Sequence, residues 1–162
     1  MKLSRLYEDH PNPTKMTPRK AYWYALNVIK GPWPEGEETI KREPYWANFY
    51  ARNVIKGRWP EGEEIIKKDL AWVHHYALNV IEGRWPEGEE TIKKDPEWAY
   101  YYARFVIKGP WPEGEEAIKK EPNWWKEYQG NVLLPWQKKQ EIIARGKEFQ
   151  QRTGKLPDED MF

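Results

Sequence analysis

Residues 44–69 are PYWANFYARNVIKGRWPEGEEIIKKD, and this 26-residue unit decides the fold because four versions of it follow one another along the chain. The four copies are residues 18–43, 44–69, 70–95 and 96–121, and a partial fifth begins at Pro122. A fixed period of this length is typical of solenoid proteins, in which like units stack on one another. One tryptophan of each Gly-x-Trp-Pro-Glu-Gly-Glu-Glu block keeps the period, at Trp33, Trp59, Trp85 and Trp111.

Each unit begins with the signals of a helix, here named helix A. An acid or a Thr, usually followed by Pro, stands at the start, and both residue types suit a helix N-terminus. In the fourth unit Trp98, Tyr102 and Val106 are spaced by four, which indicates one face of a helix and not a strand. A glycine follows this stripe, and we expect a left-handed helix stop there. These glycines are Gly31, Gly57, Gly83 and Gly109.

A shorter helix B follows in each unit. Pro34 suits its first position in the first copy, and Glu35, Glu37 and Glu38 favour the positive end of the helix dipole. Its apolar content is slight, so it must be held by packing, with the preceding Trp as an anchor. We therefore predict an all-α fold, an α-solenoid of short helix-turn-helix (αα-hairpin) repeats with a core of recurring tryptophans.

The ends of the chain depart from the repeat, as repeat arrays require. Residues 1–17 form an irregular head, residues 18–134 form four and a half repeats, and residues 155–162 form an acidic tail. Residues 135–154 are predicted to be one longer capping helix. We expect its apolar residues Ile142, Ile143 and Phe149 to face inward.

Composition limits the possible functions. Lys and Arg (27) nearly balance Asp and Glu (26), so no bulk charge favours nucleic acid or an anionic membrane. The 11 Trp and 10 Tyr replace the scarce aliphatic residues, and no cysteine is available for disulfides or thiolate metal sites. We find no signal peptide and no apolar stretch long enough to span a membrane. The expected location is the cytoplasm or the inside of a virus particle.

No residue pattern indicates catalysis, a cofactor or a metal. The carboxylates of helix B are more simply explained by the helix dipole than by a cation site. His74 and His75 are adjacent and point to different sides of a helix, so they cannot chelate one metal as an i, i+4 pair would. We expect a protein that is not an enzyme, without catalytic, cofactor-binding or metal-binding residues.

The positions that vary between the copies are the candidate partner-binding face. They lie on helix A away from its stripe, and stacking would align them into a ladder of aromatic and Arg side chains, the types that dominate protein interfaces. The alternative is that the aromatic members only pack against neighbouring helices. The ladder consists of Tyr22, Trp23, Leu26, Asn48, Phe49, Arg52, His74, His75, Leu78, Tyr100, Tyr101 and Arg104.

The unit Tyr-Ala-x-x-Val-Ile-Lys-Gly-Arg-Trp-Pro-Glu-Gly-Glu, at residues 50–63, resembles short Trp/Tyr-rich helical repeats in proteins of tailed bacteriophages and related viruses. The resemblance extends from Pro18 to about Trp124. It implies an all-helical fold and a viral origin, and it brings no functional residues with it.

Three functions are consistent with these features. The first is a non-enzymatic scaffold or interaction module, phage-encoded, that binds another protein as a virion component or as an inhibitor of a host factor. The second is a nucleic-acid-binding helical repeat, because helical arrays can read one base per repeat, although the balanced charge argues against it. The third is a self-assembling structural protein. A protein partner is favoured, and no membrane is expected.

Overall fold

The structure is a computed structural model that describes residues 11–155. Most of this part of the chain is helical, the rest is turns, bends and irregular segments, and no strand occurs in it. The α-helices are α1 (Pro18–Tyr24), α2 (Pro34–Ile40), α3 (Pro44–Tyr50), α4 (Pro60–Ile66), α5 (Leu70–Tyr76), α6 (Pro86–Ile92), α7 (Pro96–Tyr101), α8 (Pro112–Ile118), α9 (Pro122–Tyr128) and α10 (Leu134–Thr153). The predicted all-α fold of αα-hairpin repeats with a longer C-terminal helix is confirmed.

Every helix A is an α-helix that widens into a π-helical segment. These segments are π1 (Ala25–Ile29), π2 (Ala51–Ile55), π3 (Ala77–Ile81), π4 (Tyr102–Ile107) and π5 (Gln129–Leu133). The starts agree with the sequence: Thr17 accepts a hydrogen bond from the Lys20 N–H, and Asp95 accepts one from the Trp98 N–H. Glu43 stands at the same position of α3 without a side-chain bond, so it contributes only its charge.

The expected left-handed glycine stop is wrong by one residue. The left-handed position is Lys30, Lys56, Glu82 or Lys108, with φ of 57–60°, and the glycine that follows it does not have a positive φ. In the first repeat, the N–H groups of Lys30 and Gly31 both donate to the Ala25 carbonyl. A π turn contains one more residue than an α turn, which changes the residue at which the hydrogen bonds of the helix end. The left-handed residue therefore comes one position before the glycine.

The chain forms two compact units, Met1–Thr91 and Ile92–Phe162. Within unit 1, α1 packs on α2 and α3 packs on α4, while α1, α3 and α5 lie side by side. Within unit 2, α7 packs on both α8 and α9. In each unit the helices A therefore lie side by side, and helices B pack against them.

The tryptophans before helix B lie in the core, as predicted. Trp33, Trp59, Trp85 and Trp111 are all buried, whereas the second series in helix A, Trp46, Trp72, Trp98 and Trp124, is half-buried. Each buried indole lies across the first turn of its own helix B, over the glycine three residues later. A Cβ on Gly62 would stand 2.2 Å from Cε3 of Trp59, and Gly36 and Gly114 are equally close to their indoles.

Within each unit, a tyrosine joins a repeat to the one before it. The Tyr50 hydroxyl accepts a hydrogen bond from the Trp33 N–H (2.7 Å) and donates one to Glu37 (2.9 Å), while its ring packs on Trp59 with centroids 4.8 Å apart. The hydroxyl thus caps helix B of the preceding repeat, whose N-cap Trp33 has no side-chain bond of its own. We name this arrangement the tyrosine clasp, and Tyr76 and Tyr128 repeat it at Trp59 and Trp111.

Helix α10 differs from the prediction in what it buries. Ile142 and Ile143 are 39% and 40% exposed, and Phe149 is half-buried, so the expected inward face is wrong for the two isoleucines. The reason is that α10 continues directly from π5, because the C-cap residue of π5, Leu134, has a right-handed helical backbone. The Gly-x-Trp-Pro turn that brings helix B back onto helix A is missing there, and the helix runs on beyond the repeats.

The two ends of the chain are described only in part. The predicted irregular head contains a short 3₁₀ helix, Pro13–Lys15, and the Thr39 hydroxyl of α2 donates to the Pro13 carbonyl at 2.8 Å. Residues 1–10 of the head and residues 156–162 of the acidic tail lie outside the described residues.

Candidate interaction face

The structure separates the twelve ladder residues into three sets. Four are buried, four are half-buried and four are exposed, so the ladder is not one continuous surface. The buried residues are Tyr22, Asn48, His74 and Tyr100. The half-buried residues are Leu26, Phe49, Leu78 and Tyr101, and the exposed residues are Trp23, Arg52, His75 and Arg104.

The buried members hold neighbouring helices A together. The Tyr22 hydroxyl accepts a hydrogen bond from Asn53 at 3.0 Å, and the Tyr100 hydroxyl accepts one from Asn131 at 3.2 Å. Asn48 donates to the Trp72 carbonyl at 3.4 Å. Burial raises the pKa of Tyr22, and the Asn53 bond opposes that rise only in part. Tyr22, Asn48 and Tyr100 therefore serve packing between helices A, and only the half-buried and exposed sets present surface to solvent.

The surface of unit 1 carries an aromatic patch, defined here as Trp23, Tyr45, Trp46, Phe49, Trp72 and His75. Tyr45 stacks on Phe49 with centroids 4.7 Å apart and meets Trp72 edge-on at 4.9 Å. Trp72 is 5.3 Å from His75, and the buried ring of Tyr22 contacts both Trp23 and Trp46. Trp23 and Tyr45 remain 47% and 39% exposed. The sequence prediction missed Tyr45, which lies one position before the helix A tryptophan and outside the aligned variable positions.

In unit 2, Arg104 lies among aromatic rings on helix A, at the repeat position that corresponds to Arg52 of unit 1. One Nη of Arg104 donates to the Tyr100 hydroxyl at 2.6 Å, and its guanidinium lies 5.1 Å from the centre of the Phe105 ring. Phe105 in turn stacks on Tyr101 at 6.1 Å. Arg104 is thereby held in a fixed orientation while its side chain stays exposed.

The acidic side chains of unit 1 are concentrated on helices B and are absent from helices A. Residues 18–29, 44–55 and 70–81, which form the helices A of unit 1, contain no Asp or Glu. Arg52 is exposed and lies three residues after Phe49 on the same helix A. The first turns of helices B carry the carboxylates instead, and Glu63 and Glu89 are bound there by Arg58 and Arg84. The helix A face of unit 1 is therefore aromatic and cationic.

Residues 11–155 contain neither a metal-binding cluster nor a membrane-spanning helix. In this range no group of three or more His, Asp or Glu side chains is placed to hold a metal ion. The rings of His74 and His75 lie 5.6 Å apart at a steep angle. None of the described helices has the length and apolar character that a membrane span requires.

Comparisons with protein-family models, with curated proteins and with solved structures found no match to this chain.

Proposed function

We propose that this protein is a non-enzymatic interaction module that binds another protein through the aromatic patch of unit 1. The observation that supports this most is the packing of the patch. The Tyr45 ring contacts Trp46, Phe49 and Trp72 at 4.5–4.9 Å. Trp72 contacts His75 at 5.3 Å, yet Tyr45 and Trp23 stay more than a third exposed. Rigid aromatic side chains lose little entropy on binding, and they are the usual anchors of interfaces.

The charge of this face selects the chemistry of the partner. Its helices bring no carboxylate within residues 18–29, 44–55 and 70–81, and Arg52 stands exposed beside Phe49. An acidic segment with apolar or aromatic side chains next to its carboxylates would pair with Arg52 and cover the rings. The helix B side, with Glu61 and Glu64 exposed, would repel the same segment.

The resemblance to bacteriophage repeats supports the wider setting of this proposal. In that setting the protein is viral, acts in the cytoplasm or within a virus particle, and binds either another virion component or a host factor that it inhibits. Both partners would meet the same face, so one binding experiment serves both.

The test is affinity capture with photo-crosslinking from the native host, followed by identification of the crosslinked peptide. Tyr45→Ser and Arg52→Glu should each lower capture at least about tenfold, since each removes an anchor worth more than 1 kcal/mol. Lys68→Glu is the matched control, because Lys68 is exposed at the end of helix B and its charge change equals that of Arg52→Glu. The crosslinked peptide should be acidic. Equal capture by all three variants, or a basic peptide, would contradict the proposal.

A second candidate function, self-association, is favoured by α10. Ile142 and Ile143 are 39% and 40% exposed on one amphipathic helix, and a second copy of that helix would cover them. Light scattering across concentration should then show a dimer that Ile142→Glu with Ile143→Glu converts to a monomer. The matched control is the pair Lys138→Glu with Lys147→Glu, on exposed polar positions of α10. A monomer at all concentrations would contradict this candidate.

A further inference from the structure

Unit 2 contains a cavity of about 300 Å³ where π4 ends and α10 begins. This size is at the lower end of the range for small-molecule sites. The lining residues are Arg104, Lys108, Gly109, Asn131, Val132, Pro135, Trp136, Lys139 and Gln140.

The lining carries three cations and no carboxylate. Arg104, Lys108 and Lys139 make no ion pair within residues 11–155, although Arg58 and Arg84 elsewhere in the chain are each bound by a glutamate. The carboxylate of Glu127 approaches from outside the lining, where it accepts a hydrogen bond from Asn131 at 2.6 Å. Arg104 donates one hydrogen bond to the Tyr100 hydroxyl, so most of its five N–H donors remain for a ligand. The cavity is thus a place of uncompensated positive charge.

The flat wall of the cavity is held by a contact that the other repeats lack. Gly109 is buried, and a Cβ there would stand 3.2 Å from Cδ1 of Trp136, whereas the equivalent Gly31, Gly57 and Gly83 have open space. The indole of Trp136 therefore lies close against the backbone, next to the left-handed Lys108. Trp136 is still 41% exposed, which leaves ring surface for stacking.

We infer that this cavity binds a phosphate ester that carries an aromatic ring, a nucleotide being the simplest case. Three cations match the two negative charges of a phosphate monoester better than the single charge of a carboxylate. The indole offers a stacking surface for the base, and the side-chain amides of Asn131 and Gln140 can bond its edge. A nucleotide within a single strand offers the same ring, although each phosphate of the strand is a diester with one negative charge, and several such phosphates would have to face the three cations. The inference is independent of the proposed protein partner, although Arg104 belongs to the ladder as well.

The test is isothermal titration of the full chain with adenosine 5′-monophosphate, adenosine, inorganic phosphate, a short oligothymidylate and an acidic peptide. The monophosphate should bind more tightly than adenosine or phosphate alone. Lys108→Gln with Lys139→Gln should weaken it at least about tenfold, because each change removes a charge-assisted bond. The matched control is Lys56→Gln with Lys147→Gln: Lys56 has the same left-handed backbone as Lys108, and neither lysine lines the cavity.

The titrations with the monophosphate and with oligothymidylate distinguish a free nucleotide from a nucleotide within a single strand. Oligothymidylate binding that is tighter than the monophosphate and falls steeply with salt would assign a strand, and the reverse order would assign a free nucleotide. Trp136→Phe should keep most of the affinity, while Trp136→Ala should abolish the preference for monophosphate over phosphate. Circular dichroism checks that every variant is folded. Three results would overturn the inference: no monophosphate binding at millimolar concentration, binding unchanged in the double-lysine variant, or tighter binding of the acidic peptide.

Discussion

The tryptophan and glycine of the Trp-Pro-Glu-Gly turn depend on each other. Trp59 has no side-chain capping role, and its ring instead folds over the first turn of α4 onto Gly62. Any larger residue at that position would meet ring atoms well inside contact distance. This explains why the block contains a glycine inside a helix, where glycine alone would be unfavourable.

A pair of alanine substitutions tests this dependence. Gly62→Ala should lower the free energy of unfolding by about 1–3 kcal/mol, because the new methyl group overpacks the buried indole. Gly57→Ala is the matched control: Gly57 has no neighbouring atom within 4 Å of the new Cβ and no positive φ, so its stability should change little. Urea denaturation measures both. Equal effects of the two substitutions would contradict the stacking.

The left-handed residue before the second glycine gives another prediction. Lys56 has a φ of 60°, a conformation that costs a side-chain-bearing residue about 1 kcal/mol and glycine almost nothing. Lys56→Gly should therefore raise the melting temperature. Lys67→Gly, in the right-handed last turn after α4, should lower it, and thermal unfolding of both variants gives the comparison. A loss of stability in Lys56→Gly would contradict the assigned backbone.

At the scale of the elements, most of the architecture could be predicted from the sequence. Proline and an acid or Thr mark the start of helix A, and a second proline after tryptophan marks helix B, so both helices were placed correctly. The π segments could not be predicted, because Ala-x-Asn-Val-Ile satisfies an ordinary helical pattern as well. The left-handed end of helix A was predicted one residue too late because the change from α-helical to π-helical hydrogen bonding could not be foreseen.

The last helix gives a prediction about local stability. Beyond its first turns α10 buries little, with Gly146 as its one buried residue, whereas the helices A of the four full repeats each bury several side chains. Amide hydrogens of residues 141–153 should therefore exchange orders of magnitude faster than those of α3 and α5. Hydrogen exchange followed by mass spectrometry measures this in the isolated protein. Strong protection of α10 at low protein concentration would mean that it is covered within one chain.

At the scale of the whole molecule, the candidate face could be predicted only in part. Neighbouring positions such as Tyr22 and Trp23 are about 100° apart on a helix, so one can face a neighbouring repeat while the next faces solvent. The sequence marks both as variable and aromatic but does not show which one is buried. The cavity of unit 2 was missed, because it joins Arg104 and Lys108 to Lys139 of a helix that lies outside the repeat pattern.

The tyrosine clasps predict a loss of stability at alkaline pH. Burial is the main cause that raises the pKa of Tyr128, from 10.0 to about 12, and the nearby Glu115 adds to it; Tyr50 and Tyr76 shift in the same direction. Above pH 10 the unfolded chain releases phenolic protons that the folded chain keeps, so the free energy of unfolding falls as pH rises towards 12. Denaturation series with tyrosinate absorbance measure this, and Tyr128→Phe should make the fall shallower. An unchanged slope would contradict the clasp at Tyr128.

The central claim is that, within each unit, a tyrosine hydroxyl binds the start of helix B in the preceding repeat, which holds neighbouring helices A side by side. The most direct measurement is the free energy of unfolding of Tyr76→Phe, which loses the bonds to the Trp59 N–H and Glu63. Tyr45→Phe is the control, because the exposed Tyr45 hydroxyl makes no hydrogen bond within residues 11–155. The account predicts a loss of about 1–3 kcal/mol for Tyr76→Phe and almost none for Tyr45→Phe. Equal stability of the two variants would contradict it.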